Sequence, residues 1–287
     1  MAHATRVVHN RIAVVFDFDL TLGKGSVDVL LQKLGVDPES FRREQVEPLD
    51  REGWDHSLAR FKALIDLSER CGGAITESLL QEVGRDTPLY RDVERVFDRL
   101  RETARAVVDD VVVEFYVLTA GFAEVPGATS IAHEFKAIWG SAGCYDDDGR
   151  LVFPKRIVTY PEKVRYLLQL AKGLSVDGSD SPPDVYREIP EQDWHVPFDQ
   201  MVYVGDGASD LPAFDLIGSR GGIAIGVFGP DGSASSWSKD KKMRAGRRVQ
   251  NLARADYAED AELSRSLCLA VEAIAKLIAL RRLGCHE

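Results

Sequence analysis

Ile12-Ala13-Val14-Val15-Phe16-Asp17-Phe18-Asp19-Leu20-Thr21 is an apolar run that stops at two aspartates one residue apart, followed by a threonine. Its first half has the valine and isoleucine character of a strand buried on both faces. Alternate residues of an extended chain point the same way, so Asp17 and Asp19 are expected to project together from the strand end. Open α/β sheets place their ligands at that end. Two carboxylates held so close repel unless a cation or a shared proton lies between them.

Similar runs recur at Val111 to Leu118, Met201 to Val204 and Gly222 to Val227, each ending in glycine or small polar residues. They read as further parallel strands of a doubly wound α/β sheet. From about Ser26 to Ala106 the pattern changes to apolar residues at helical spacing. Val27, Leu30, Leu31 and Leu34 form one set, Leu58, Phe61, Leu64 and Ile65 a second, and Val93, Val96, Phe97 and Leu100 a third. The expected organisation is a core of residues 1–25 and 107–287 with an inserted helical domain at 26–106. Ile138 to Phe153 reads as two short strands around an acidic Asp-Gly turn. The trio Asp146-Asp147-Asp148 lacks the spacing and distal glutamate of a calcium loop. Pro161 opens a helix that carries Lys163, and Ala261 to Leu283 predicts a C-terminal helix. Gly173 to Pro197 is expected to be a surface excursion.

The chain has 287 residues, 45% of them apolar, 29% charged, with a formal net charge of −10. That supports a core of ordinary size and argues against a nucleic-acid partner, which would need a basic stripe. The basic cluster from Lys239 to Arg248 is short and mixed, and reads as a solvated loop. Cys71, Cys144, Cys268 and Cys285 have no paired spacing, so neither zinc nor a disulfide framework is implied. No run reaches membrane-spanning length, and the expectation is a soluble cytoplasmic protein with no membrane partner.

Other clusters have the chemistry to share a site with Asp17 and Asp19. Val202 to Asp210 is again a buried strand ending in a carboxylate, set in the glycines of Gly205-Asp206-Gly207. At Leu118-Thr119-Ala120-Gly121 a strand is expected to release Thr119 into a small-residue turn, delivering a hydroxyl and backbone amides suited to phosphate oxygens. Lys163 supplies a cation.

Taken in order, these clusters resemble the haloacid dehalogenase-like superfamily of aspartate-nucleophile phosphohydrolases. Asp17-Phe18-Asp19-Leu20-Thr21 stands for its Asp-x-Asp-x-Thr motif, Thr119 for its Ser/Thr motif, Lys163 for its lysine, and Gly205 to Asp210 for its Gly-Asp-Gly-x-x-Asp motif. The resemblance implies a catalytic pair in which Asp17 is the nucleophile and Asp19 the general acid and base. It further implies a phosphate site of Thr119, Ala120, Gly121 and Lys163. It implies Mg²⁺ held by Asp17, the Asp19 backbone carbonyl and Asp206, with Asp210 supporting the metal directly or through water.

An acid at position 19 favours an alcohol leaving group over a halide. Thr21, where the family's sugar phosphomutases carry glycine, favours hydrolysis over isomerisation. The helical insertion matches the family's type-1 cap, which favours small-molecule phosphorylated substrates. Arg42, Arg43, Trp54, His56 and Arg60 are candidate contacts on it. The phosphoserine phosphatase-like branch is the best match, with Leu20 standing where that branch has a small residue. A phosphotransferase or mutase, and a binding or regulatory protein with little turnover, remain as alternatives, and monomer and homodimer are both open.

Overall fold

β1 (Arg11–Phe16) lies at the centre of a seven-stranded sheet in the order β4-β3-β2-β1-β5-β6-β7. In this computed structural model, which describes residues 8–175, 184–229 and 249–284, its neighbours are β2 (Val112–Phe122) and β5 (Met201–Gly205). β3 (Phe135–Tyr145), β6 (Ile223–Phe228) and β7 (Asn251–Arg254) extend the sheet in parallel, and β4 (Leu151–Arg156) closes one edge in antiparallel pairing. Phe16 pairs with both Val117 and Val204, so Asp17 leaves β1 between two neighbouring strands, just past this level.

The two-residue period sorts the side chains into two cores. Ile12, Val14, Phe16, Phe115 and Val117 face one layer, while Ala13, Val15, Tyr116, Leu118 and Tyr203 face the other. The first layer is covered by α6 (Val93–Arg105) and the C-terminal helix α10 (Glu262–Leu283), with Phe97 packed edge-on against Phe16, Phe115 and Phe135. The short α7 (Glu124–Gly127) follows β2, and the second layer is covered by α8 (Glu162–Lys172) and α9 (Leu211–Ser219), where Tyr116 stacks on Trp139 at 5.3 Å. Full burial of one such side chain contributes roughly 1.5–3 kcal/mol. The architecture is therefore the expected doubly wound α/β fold.

Between β1 and α6 run α1 (Ser26–Lys33), α2 (Pro38–Phe41), α3 (Glu47–Arg51), α4 (His56–Arg70) and α5 (Glu77–Asp86). Asp55 caps α4 through the amides of Ser57 and Leu58, and Thr76 caps α5 through Leu79, as short oxygen-bearing side chains do at N-caps. The chain enters and leaves this segment side by side: the Lys24 amide donates to Pro88 and the Tyr90 amide to Leu22. Gly23 is needed there, because a Cβ would sit 2.9 Å from the Pro88 carbonyl.

Three features stand beside the sequence reading. α6, within the 26–106 segment expected as one inserted domain, packs on the sheet beside α10, with Arg99 donating to Tyr257 and Ser264. β2 runs on past Leu118 through Thr119-Ala120-Gly121 to Phe122, where a turn was expected. β7 adds a strand that the sequence reading did not contain. The Lys239 to Arg248 cluster and residues 176–183 of the Gly173 to Pro197 excursion lie outside the described residues. Among the described residues no helix is long and apolar enough to cross a membrane.

Candidate active site

Asp17 leaves the buried end of β1 with only 4% of its surface exposed. Its amide continues the ladder by donating to Val204 at 2.8 Å, and its Oδ1 accepts from the Phe18 amide at 2.9 Å and from Lys163 Nζ at 3.2 Å. Lys163 reaches in from the first turn of α8 and is fully buried. Its second partner is Asp210 Oδ1, at 2.6 Å. Asp210 also accepts from the Tyr203 hydroxyl at 2.7 Å and from the Gly207 amide at 3.2 Å. The sharp turn after β5 brings Asp210 back against Gly205, where a Cβ would stand 2.4 Å from the carboxylate.

Asp206 completes the group. Carboxylate oxygens of Asp17, Asp206 and Asp210 lie within 4.8 Å of one another. Burial is the largest influence on Asp17 and, with repulsion from Asp210 and Asp19, pushes its carboxyl up to about 7 against the lowering pull of Lys163. Asp206 is raised well above the usual carboxylate range by burial and then by the charges of Asp210 and Asp17. For Lys163, burial opposes the ammonium form, but the two aspartates prevail and raise its pKa. One lysine against the buried Asp17 and Asp210 and the half-buried Asp206 leaves excess negative charge. An all-oxygen donor set of this charge fits a hard divalent cation such as Mg²⁺.

Asp19 is placed differently. Its Oδ1 accepts from the Ser26 amide at 2.6 Å, at the start of α1, and its Oδ2 lies against Gly121, where a Cβ would be 2.9 Å away. The carboxylate therefore stands between the helical segment and the β2 end, outside the Asp17-Asp206-Asp210 trio. The turn that follows puts Leu20 in the left-handed region at φ 58°. That conformation costs a non-glycine residue about 1 kcal/mol or more.

Thr119, Ala120 and Gly121 form a bulge. They fit between the pairs Leu118↔Trp139 and Phe122↔Ser141, so three residues of β2 face Gly140 alone. The Gly121 amide donates to Thr119 Oγ1 at 2.9 Å. The Ala120 carbonyl accepts from Arg60 Nη2 of α4 and from Ser141 Oγ, both at 3.1 Å.

Of the helical-segment candidates, Arg60 alone meets this centre through a direct hydrogen bond. His56 pairs with Asp50 at 3.1 Å and lies near the Tyr160 ring, Arg43 pairs with Glu44, Arg42 stands 3.8 Å from Glu47, and Trp54 is exposed. Asp28 lines two neighbouring cavities of about 590 and 440 Å³, the second shared with Arg42, His56 and Arg60. Burial, then the charge of Asp19, raises Asp28 against the pull of Arg42.

Sequence reasoning missed Tyr203, Ser141 and Asp28. Tyr203 was signalled by its place inside an otherwise aliphatic strand. Ser141 and Asp28 belong to no motif.

Solved proteins share this fold. A HAD family hydrolase from Salmonella enterica serovar Typhi superposes with a TM-score of 0.57 at 14% identity, covering 92% of this chain and 72% of that one. The chain has the haloacid dehalogenase-like fold. A probable phosphoserine phosphatase from Vibrio cholerae has a TM-score of 0.59 at 16% identity, over 96% of this chain and 69% of that one. A phospho-aspartyl intermediate analogue of phosphoserine phosphatase has 0.54 at 14%, over 90% and 98%. At these identities the likeness is one of fold. No family model matches the chain. An uncharacterized protein from Borreliella burgdorferi is 25% identical over 298 residues, 91% of this chain and 98% of that protein.

Proposed function

We propose that this chain hydrolyses a small-molecule phosphomonoester, with Mg²⁺, through an aspartyl-phosphate on Asp17. The observation that carries the reading is the Asp17-Asp206-Asp210 trio at the strand ends beside the Thr119-Gly121 bulge, with Lys163 tying Asp17 to Asp210. The haloacid dehalogenase-like fold, shared with a phospho-aspartyl analogue of phosphoserine phosphatase, supports it.

The chemistry follows from the residues. Lys163 and the Phe18 amide fix Asp17 through Oδ1, so the carboxylate is oriented before substrate arrives. Its attack on phosphorus breaks the bond to the leaving oxygen, and Asp19 gives that oxygen a proton. Asp19 then takes a proton from the water that attacks the aspartyl-phosphate and frees orthophosphate. Thr119, the Ala120 and Gly121 amides and Lys163 hold the equatorial oxygens as charge spreads over them.

Asp17, the Asp19 backbone carbonyl and Asp206 would hold Mg²⁺, which shields the nucleophile from the anionic phosphate. Lys163, Tyr203 and Gly207 already donate to both Asp210 oxygens, so Asp210 supports the metal through its charge and through water.

Residues 26–87 are assigned as the cap, with α6 left to the core. Arg60 ties α4 to the bulge, and Asp28, Arg42 and His56 line the cavities beside it. A cap over cavities of this size suits small substrates.

A panel of phosphorylated metabolites with Mg²⁺ tests the reading by orthophosphate release. Turnover of at least one member, abolished in a folded Asp17→Asn variant, is expected. No release from any member at high enzyme concentration would overturn it.

A further inference from the structure

Ser141 is a serine without exposed surface on β3, outside every motif of the site. Its Oγ donates to the Ala120 carbonyl at 3.1 Å and accepts from the Val158 amide at 2.9 Å. Its own carbonyl accepts from the Ala123 amide at 2.8 Å, so the residue is held on the far side of the bulge as well. One hydroxyl thus spans two segments: the β2 bulge and the link that leads from β4 into α8 and Lys163. The second segment is tied inward again where the Lys163 amide donates to Tyr160.

The peptide unit is planar and trans, so fixing the Ala120 oxygen fixes the Gly121 N–H on the opposite side. That N–H donates to Thr119 Oγ1, and the face of Gly121 where a Cβ would stand lies against Asp19 Oδ2; under the proposed function an arriving phosphoryl oxygen takes over the N–H from Thr119. The bulge has lost its ladder contacts to β3 between Leu118 and Phe122, and the carbonyl needs other donors to set its direction. Ser141 supplies one from the core. Arg60 supplies the other from α4.

We propose that Ser141 is a positioning residue: its hydroxyl sets the Gly121 amide toward the phosphoryl group and couples that amide to the segment carrying Lys163. The proposal rests on the phosphatase reading. Donors aimed in advance at charge that develops in the transition state lower its energy without reorganisation, and loss of one such donor slows turnover by about 10²-fold or more. Ser141 acts through the donor, so a smaller loss is expected on its removal.

The test uses the full chain with Mg²⁺ and p-nitrophenyl phosphate, and inhibition by orthovanadate and orthophosphate. Vanadate adopts the five-coordinate geometry of the transition state, whereas orthophosphate keeps the ground-state tetrahedron. Their inhibition constants belong to folded enzyme alone, so partial unfolding leaves both unchanged. Ser141→Ala and Ser141→Cys are expected to lower kcat by roughly ten- to a hundredfold and to weaken vanadate by about tenfold, with orthophosphate moved by less than about threefold. Ser141→Thr, which keeps the hydroxyl, is expected to restore most of the vanadate affinity.

A vanadate constant within about twofold of wild type in Ser141→Ala overturns the proposal. If the alanine variant does not fold, wild-type vanadate affinity in the cysteine variant, which keeps the shape and loses the hydroxyl, overturns it as well. An active wild type with silent Ser141 variants removes only this proposal. A wild type that neither turns over nor binds vanadate removes the phosphatase reading with it.

Discussion

Lys163 Nζ and Asp210 Oδ1 meet at 2.6 Å with neither side chain exposed to solvent. The same ammonium lies 3.2 Å from Asp17. Taking one partner from a buried pair leaves the other charge uncompensated, which costs about 3–5 kcal/mol. Lys163→Met is therefore expected to lower the unfolding free energy by that order in metal-free buffer, measured by urea denaturation, with Mg²⁺ restoring part of it. A change below about 1 kcal/mol would mean that the carboxylates take up protons without strain.

The raised carboxyls of Asp17 and Asp206 make metal binding depend on pH. In the metal-free fold Asp17 is held at about 7, above its unfolded value of 3.8. Its stabilising contribution is complete below 3.8 and is lost as pH rises through about 7. A divalent cation competes with those protons, so the rise in Tm produced by Mg²⁺ should grow from about pH 5.5 to about pH 8. Calorimetry with and without EDTA measures it, and a pH-independent increment would count against Asp17 and Asp206 as metal ligands.

At the other end of β2, Glu114 is a structural anchor. Burial opposes its charge, but hydrogen bonds from His195 at 2.6 Å, Lys136 at 2.5 Å and Tyr116 at 2.6 Å outweigh burial and hold it down to about 2. A depressed carboxyl stabilises the fold above its unfolded pKa of 4.5 and loses that contribution as pH falls toward 2. Wild type should thus lose more stability than Glu114→Gln over that acid window. Parallel losses in denaturant titrations would contradict the assignment.

Gly205 has no room for a methyl group. Gly205→Ala would put Cβ 2.4 Å from the Asp210 carboxylate and push that side chain off Lys163. Overpacking of this kind costs about 1–3 kcal/mol, and a larger fractional loss of phosphatase activity than of stability is expected. Gly207→Ala, with open space at the corresponding position, is the comparison for the thermal melt.

Much of this was legible because apolar runs ending in aspartate mark strand ends. β1 and β5 carry Asp17 and Asp206 to one edge for that reason. Thr119 was legible as a residue, whereas its bulge was not, because the bulge is set by what β3 offers opposite it, Gly140. The stripe of Val93, Val96, Phe97 and Leu100 reads the same whether α6 covers the sheet or another helix, so its place in the core emerged only from packing. β7 spans Asn251–Arg254, too short and polar for a periodic signal. Ser141 meets Ala120 from 21 residues away and Glu114 meets His195 from 81, distances that no local pattern encodes.

The proposed covalent role of Asp17 is the claim on which the functional reading turns. Asp19→Asn enzyme mixed with p-nitrophenyl phosphate and Mg²⁺, quenched in acid and digested, should yield the peptide containing Asp17 carrying one phosphoryl group by mass spectrometry. Asp17→Asn should yield none and release no orthophosphate. Orthophosphate release by wild type together with an unmodified Asp17 in the Asp19→Asn enzyme, or release by Asp17→Asn at a rate near wild type, would contradict it.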